Sequence, residues 1–131
     1  MDLKRFHEVV VPETHLKLQK SLVIKLHELI TKRNSEMPKH PVDLGWARFN
    51  WNQSLETTPP TDDAVVKLGE VTNIVKNAAK NISTAKPFGI IWEYNNTPYI
   101  EVLEDGHSKQ ASTGMLHGAL VDLQEYINGL Q

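Results

Sequence analysis

The chain contains no cysteine, and this absence excludes several kinds of chemistry at once. Disulfide bonds, thiolate zinc sites and cysteine nucleophiles all need that residue. Long apolar runs are missing too, since no stretch approaches the roughly 20 apolar residues that a membrane-spanning helix needs. The N-terminus, Met1 to Arg5, lacks the apolar stretch of a secretory signal. We therefore expect a soluble protein that is made in a cytoplasm and does not contact a membrane.

An excess of charge of one sign is also missing. The sequence has 14 Lys and Arg residues against 16 Asp and Glu residues, a formal net charge of −2. The chain therefore lacks the overall basic field that would indicate a nucleic-acid binder. Basic residues cluster near the N-terminus with acidic residues among them: Glu13, Lys17, Lys20, Lys25, Glu28, Lys32, Arg33 and Glu36. This mixture favours a solvated helix face over a phosphate-binding patch.

The length and the composition are those of an ordinary globular domain. The chain has 131 residues, of which 40% are apolar and 23% are charged. This amount of apolar sequence suits one modest core. We therefore predict a single domain that spans residues 1–131.

The first predicted element is a helix from about Pro12 to Lys32. Proline suits the first turn of a helix, where its missing N–H has no partner to lose. The apolar stripe that follows has helical spacing and consists of Leu22, Leu26, Leu29 and Ile30. A polar stretch closed by Pro41 ends the helix.

Two further helices are predicted from spacing and capping signals. One begins near Thr61 or Asp62 and runs to about Ile82, with an apolar stripe that includes Val75 and Ala78. The other begins near Met115 after a cap at Ser112 or Thr113, and it ends at Asn128 and Gly129. Its stripe is Leu116, Leu120, Leu123 and Ile127.

Two strands are predicted between these helices. From Phe49 to Leu55 the period changes to two, which places Phe49, Trp51, Gln53 and Leu55 on one side. Residues 88–94 form a short apolar and β-branched run, and Asn95 with Asn96 supplies a turn. Residues 98–104 have the composition of a strand, but the first-position proline and Gly106 favour a short helix. The fold class is α+β, with a long N-terminal helix, a small antiparallel sheet, and a C-terminal helix packed on one face.

The search for catalytic residues gives no constellation. The six histidines are scattered, and none of the pairs has the spacing of a helical zinc site, so structural or surface roles are favoured. Asp105, His107 and Ser108 are neighbours in one loop, whereas nucleophilic triads draw their members from separate segments. Turn formation explains them better. We predict no enzyme activity, no metal and no cofactor.

Other side chains have a structural interpretation as well as a functional one. Glu101 and Glu104 would share a helix face, where paired carboxylates perform acid–base chemistry, but a solvated face is favoured. The three tryptophans, Trp46, Trp51 and Trp92, could stack on bases or sugars. Core packing is the favoured use for them in a chain with so few aromatic residues.

Two segments have more specific patterns. The first, His40 to Leu55, contains Pro41, Val42, Asp43 and Gly45, then Arg48, then Asn50 and Trp51. It resembles a signature of phage tail-completion and neck proteins, in which Pro-Val-Asp-Thr-Gly precedes a basic residue and Asn-Trp. Leu44 stands where Thr is usual. Independently of the resemblance, Asp43 is placed to accept backbone N–H groups of a turn and Gly45 permits positive φ there.

The second segment, Pro98 to Met115, looks like the second signature of the same proteins. That signature has Pro-Tyr-Ala, two residues, Leu-Glu, an aromatic residue, Gly, His-Ser-Lys-Gln-Ala-Pro and Gly-Met. The matching positions are Pro98, Tyr99, Leu103, Glu104, Gly106, His107, Ser108, Lys109, Gln110, Ala111, Gly114 and Met115. Asp105 replaces the aromatic residue and Ser112 replaces the proline, so the chain would be a divergent member.

Several roles follow for the residues of the two segments. Trp51 is expected to anchor the sheet to the helices. Gly106 is expected to end the short helix, so that the Ser108–Gln110 loop projects towards a neighbouring subunit or partner. The alternative is that both segments only shape the fold. The candidate motif and interface residues are Pro41, Asp43, Gly45, Arg48, Asn50, Trp51, Tyr99, Glu104, Gly106, His107, Ser108, Lys109, Gln110, Gly114 and Met115.

The resemblance implies a virion structural protein of the phage neck. Its subunits would form a ring that completes or terminates the tail and joins it to the head connector, with assembly in the bacterial cytoplasm. A hexamer is favoured over a dodecamer because tail tubes have six-fold symmetry. Expected partners are portal-side connector proteins and tail tube or sheath proteins. DNA would pass through the channel without being read, and Glu101, Glu104 and Asp105 are candidates for an acidic lumen.

Two alternatives belong to other functional classes. One is a small hydrolase that uses His107 and Glu104, for which loss of activity on mutation of His107 would be the evidence. The other is a monomeric protein-binding module, which solution mass distinguishes from a ring.

Overall fold

The computed structural model describes residues 2–31, 50–62, 74–98, 100–101 and 115–130. Within these residues an N-terminal helix, α1, comprises Leu3–Arg5, Phe6–Val10 and Val11–Thr31. The remaining elements are β1 (Trp51–Leu55), α2 (Ile74–Asn81), β2 (Ile91–Asn95) and α3 (Met115–Asn128). The described elements make an α+β fold, as predicted.

Helix α1 begins nine residues before Pro12, so the predicted start at Pro12 is wrong. Asp2 caps the helix, because its side chain accepts a hydrogen bond from the Arg5 backbone N–H at 2.8 Å. Pro12 instead lies inside the helix, where it lacks an N–H and its ring crowds the carbonyl one turn before it. The preceding residues Phe6–Val10 form a π-helical turn, in which the Val11 N–H bonds to the Phe6 carbonyl. The wider turn is how the helix continues past proline.

Strands β1 and β2 form a two-stranded antiparallel sheet. Trp51 pairs with Asn95, Gln53 with Glu93, and Leu55 with Ile91. Trp51 and Gln53 are buried, which confirms that they point to the same side. The turn after β2 is also confirmed, since Asn95 Oδ1 accepts the Thr97 backbone N–H at 2.9 Å.

The two later helices are confirmed over the parts that the structure describes. Ala78 and Ile82, at the end of α2, are each 1% exposed. Thr61 and Asp62 are not helical, and residues 63–73 lie outside the described residues. Helix α3 begins and ends where the sequence predicts, whereas the predicted caps Ser112 and Thr113 are outside the described residues.

The core lies where the helices cover one face of the sheet. Ile30 and Ala119 are fully buried and Trp51 is 9% exposed, so one residue each from α1, α3 and β1 forms the centre. Partly buried side chains pack around them: Leu26, Leu29, Ile100 and Leu116. Burial of these apolar groups is the main favourable contribution to folding. The result is a sheet with one covered face, in agreement with the predicted arrangement.

Ile100 and Glu101 have helical backbone, which agrees with a short helix rather than a strand after Pro98. Tyr99 and the rest of that predicted helix lie outside the described residues. Among the helices that the structure describes, none is long and apolar enough to cross a membrane.

Candidate functional site

Three of the fifteen candidate motif and interface residues lie in the described part of the chain. Asn50 and Trp51 are buried at 5% and 9% exposure, and Met115 begins α3. The others lie outside the described residues: Pro41, Asp43, Gly45, Arg48, Tyr99, Glu104, Gly106, His107, Ser108, Lys109, Gln110 and Gly114.

The described ends of the two signature segments meet at the core. Trp51 closes the first signature, Ile100 lies inside the second, and Leu116 follows it directly. All three pack in the same apolar cluster around Ile30 and Ala119. The predicted role of Trp51 as the anchor between sheet and helices is confirmed. The described ends of two segments that are distant in sequence therefore lie at one region of the molecule.

A polar cluster, buried at His27 and Gln53, lies beside this core, and the sequence patterns do not single it out. Glu93 on β2 is its centre. Its Oε1 lies 2.5 Å from His27 Nδ1 of α1, and its Oε2 accepts from Gln53 Nε2 of β1 at 2.7 Å. Asn81 of α2 donates from Nδ2 to Gln53 Oε1 at 3.0 Å. Four elements thus share one hydrogen-bond network, which we call the His27 cluster (His27, Gln53, Asn81 and Glu93).

Donor and acceptor roles in the His27 cluster follow from what each group can do. A carboxylate only accepts, so His27 Nδ1 carries the hydrogen that faces Glu93, and the Gln53 amide nitrogen faces the other carboxylate oxygen. The Gln53 amide oxygen is then free to accept from Asn81. The 2.9 Å separation of Gln53 Nε2 and His27 Nδ1 places two donors side by side on one acceptor group.

The chemistry open to the His27 cluster is limited by its burial. The side chains of His27 and Glu93 are 4% and 9% exposed, so this hydrogen-bonded pair lies in the interior. A histidine oriented by a carboxylate is the arrangement of a general base. A general base must also reach a substrate, however, and the buried His27 ring is almost closed to solvent. The geometry accordingly suits a structural connection between sheet and helices.

A sequence signal for the His27 cluster did exist. His27 lies on the apolar stripe of α1, between Leu26 and Ile30, where a polar side chain at a core position needs a buried partner. Gln53 falls on the inward side of β1. The partner Glu93 is 66 residues from His27 in the chain, and local periodicity cannot pair residues at that distance. Within the described residues, no group of three or more acidic or histidine side chains is placed to hold a metal ion.

Two exposed apolar surfaces complete the description. The first, the N-terminal arm, is residues 2–10; residues 2–9 are exposed, including Leu3 at 79% and Phe6 at 43%. The second, the outer strip, consists of Phe88, Ile90 and Trp92, which are 62%, 53% and 37% exposed. The prediction that Trp92 packs in the core is therefore wrong. Its side chain lies opposite Ser54, on the sheet face that the helices do not cover.

Comparisons of the chain with protein-family models, with curated proteins and with solved structures gave no match.

Proposed function

We propose that this protein is a structural subunit of the neck of a tailed phage, where it forms a ring that completes the tail and joins it to the head. The observation that carries the proposal is the meeting of the two signature segments. Trp51 and Ile100, from the described ends of the two segments, and Leu116, which follows the second, pack in one apolar cluster. A common anchor for the ends of two separate segments supports an interface that both segments would form with a neighbouring protein.

The exposed apolar surfaces support an assembly role. Single exposed apolar residues are ordinary, but contiguous ones mark interaction sites. The arm carries Leu3, Phe6 and Val9 on a helix, and Val9 is also 38% exposed. The outer strip adds three large apolar side chains on another face. A ring joins two different faces of each subunit, and two separate exposed surfaces on this chain support that arrangement.

The proposed mechanism is geometric. A closed ring holds its channel at a fixed diameter, accepts connector proteins on one side and the tail tube on the other, and lets DNA pass. A hexamer is the proposed state. Glu101, which is exposed, is the described member of the acidic residues proposed to line the channel.

Deletion of the gene from the phage that carries it tests the proposal. We expect heads and tails to accumulate separately in electron micrographs, with joined particles restored when the intact chain is supplied from a plasmid. Normal joined particles after deletion would contradict a neck role. A matched control is plasmid-borne Gln124→Ala, at an exposed position on α3 outside both apolar surfaces, which should restore joined particles as the intact chain does.

A further inference from the structure

The end of helix α3 contains the one asparagine in the sequence that is followed by glycine. Asn128 is the last residue of the helix, Gly129 comes next, and both are exposed to solvent. Glycine has no Cβ, so its backbone nitrogen is open to approach by the side chain of the preceding residue. Asparagine is also among the residues that alter chemically with time and heat. The pair therefore combines a reactive side-chain amide with an unshielded backbone nitrogen.

The fold does not require glycine at position 129. The φ angle of Gly129 lies outside the left-handed region in which L side chains are strained. A Cβ on this residue would lie 3.4 Å from the Tyr126 carbonyl oxygen and 3.6 Å from the Glu125 carbonyl oxygen, which are ordinary van der Waals contacts. Alanine would therefore fit at this position. The conformation of the helix end does not account for the glycine, whereas the chemistry of an Asn-Gly pair gives it a consequence.

Hydrogen bonds hold both reacting groups in the folded chain. The Gly129 N–H donates to the Glu125 carbonyl at 3.1 Å and to the Tyr126 carbonyl at 3.2 Å. The Asn128 side-chain oxygen accepts from Gln124 Nε2 at 3.1 Å. Reaction needs the backbone bonds to open, and helix ends open more readily than helix interiors. The net contribution of one or two hydrogen bonds changes an equilibrium roughly 5- to 30-fold, so folding should slow the reaction without preventing it.

We propose that Asn128 is a site of spontaneous deamidation, by which each copy of the chain gains a carboxylate at the end of α3. The Gly129 nitrogen attacks the Asn128 side-chain carbonyl carbon, a carbon–nitrogen bond forms, and the side-chain nitrogen leaves as ammonia with the Gly129 proton. Water then opens the succinimide ring at either carbonyl, which gives aspartate or isoaspartate. One water is consumed and one ammonia is released. The formal net charge of −2 becomes more negative by one.

The products would weaken the last turn of α3. The C-terminal end of a helix carries partial negative charge, and Glu125 already lies one turn before Asn128, so a further carboxylate there is unfavourable. Isoaspartate also adds one carbon to the backbone, which would displace the Gly129 and Leu130 N–H groups from the carbonyls that they bond in the helix end. The proposal does not depend on the neck role, because the reaction needs only one copy of the chain.

Ageing of the purified full-length chain at neutral pH tests the proposal. Peptide mapping by mass spectrometry detects the replacement of NH by O at each asparagine, and labelling with an isoaspartate methyltransferase detects the isomer. Asn81 is the internal control, because the β-branched Ile82 follows it and its Nδ2 donates to Gln53. We expect product to accumulate at Asn128 and not at Asn81. The same chain unfolded in urea should react roughly 5- to 30-fold faster at Asn128.

Two variants make the result specific to the Asn-Gly pair. Gly129→Ala fits the helix end and should reduce the product at Asn128 to the level at Asn81. Leu130→Ala, at an exposed position one residue further on, retains the pair and should leave the rate unchanged. Equal rates in the natural chain and in Gly129→Ala would overturn the proposal. So would equal product at Asn81, or folded chain without product at Asn128 after the unfolded chain has fully reacted.

Discussion

At the scale of single residues, Glu93 is the acceptor that both His27 and Gln53 use in the His27 cluster. It accepts from His27 and from Gln53, and both donors lose their only strong acceptor when the carboxylate is removed. Leaving buried donors unpaired costs about 1–3 kcal/mol each. We therefore expect Glu93→Ala to lower the free energy of unfolding by about 2–4 kcal/mol in urea titrations.

The control for this prediction is Glu28→Ala. Glu28 also pairs with a basic side chain, Lys25, at 3.6 Å, but both side chains are substantially exposed. Exposed pairs of this kind contribute less than about 1 kcal/mol. If Glu93→Ala destabilises the protein no more than Glu28→Ala does, the His27 cluster has no structural importance.

At the scale of elements, we expect the arm to unfold locally, while the rest of the molecule stays folded. Asp2→Ala removes the acceptor for the Arg5 N–H, and loss of an N-cap costs about 1 kcal/mol. Since residues 2–9 are exposed and none of the described arm residues is buried, amide exchange should become about fivefold faster in residues 5–10, with global unfolding nearly unchanged. Asp2→Asn, an equally good cap, is the matched control. A large drop in global stability would show that the arm is packed in the monomer.

The elements also show what sequence patterns can and cannot predict. Period-two alternation predicts that Trp51 and Gln53 lie on the same side of β1, because pleating determines it. The predicted start of α1 at Pro12 is wrong because proline fits the first turn and, with a π-helical turn, also fits the interior. Core packing is the wrong prediction for Trp92 because it rests on the scarcity of aromatic residues, and composition does not reveal which face of a strand the helices cover. Most of the candidate interface residues lie outside the described residues, so those predictions stay predictions.

At the scale of the whole molecule, one apolar core lies between the sheet and the helices, and two exposed surfaces lie outside it. Burial of Ile30, Trp51 and Ala119 holds the sheet against the helices and fixes the ends of both signature segments. The arm and the outer strip remain on the outside. A small domain with two separate exposed surfaces suits a subunit of a symmetric assembly, since every copy presents the same two faces.

Cryo-electron microscopy of purified virions tests the central claim most directly. The account predicts density for this chain as a closed ring between portal and tail tube, with six copies. A ring of another symmetry would correct the proposed copy number and retain the role. Virions whose neck density is fully explained by other proteins, with no room for this fold, would contradict the proposed function.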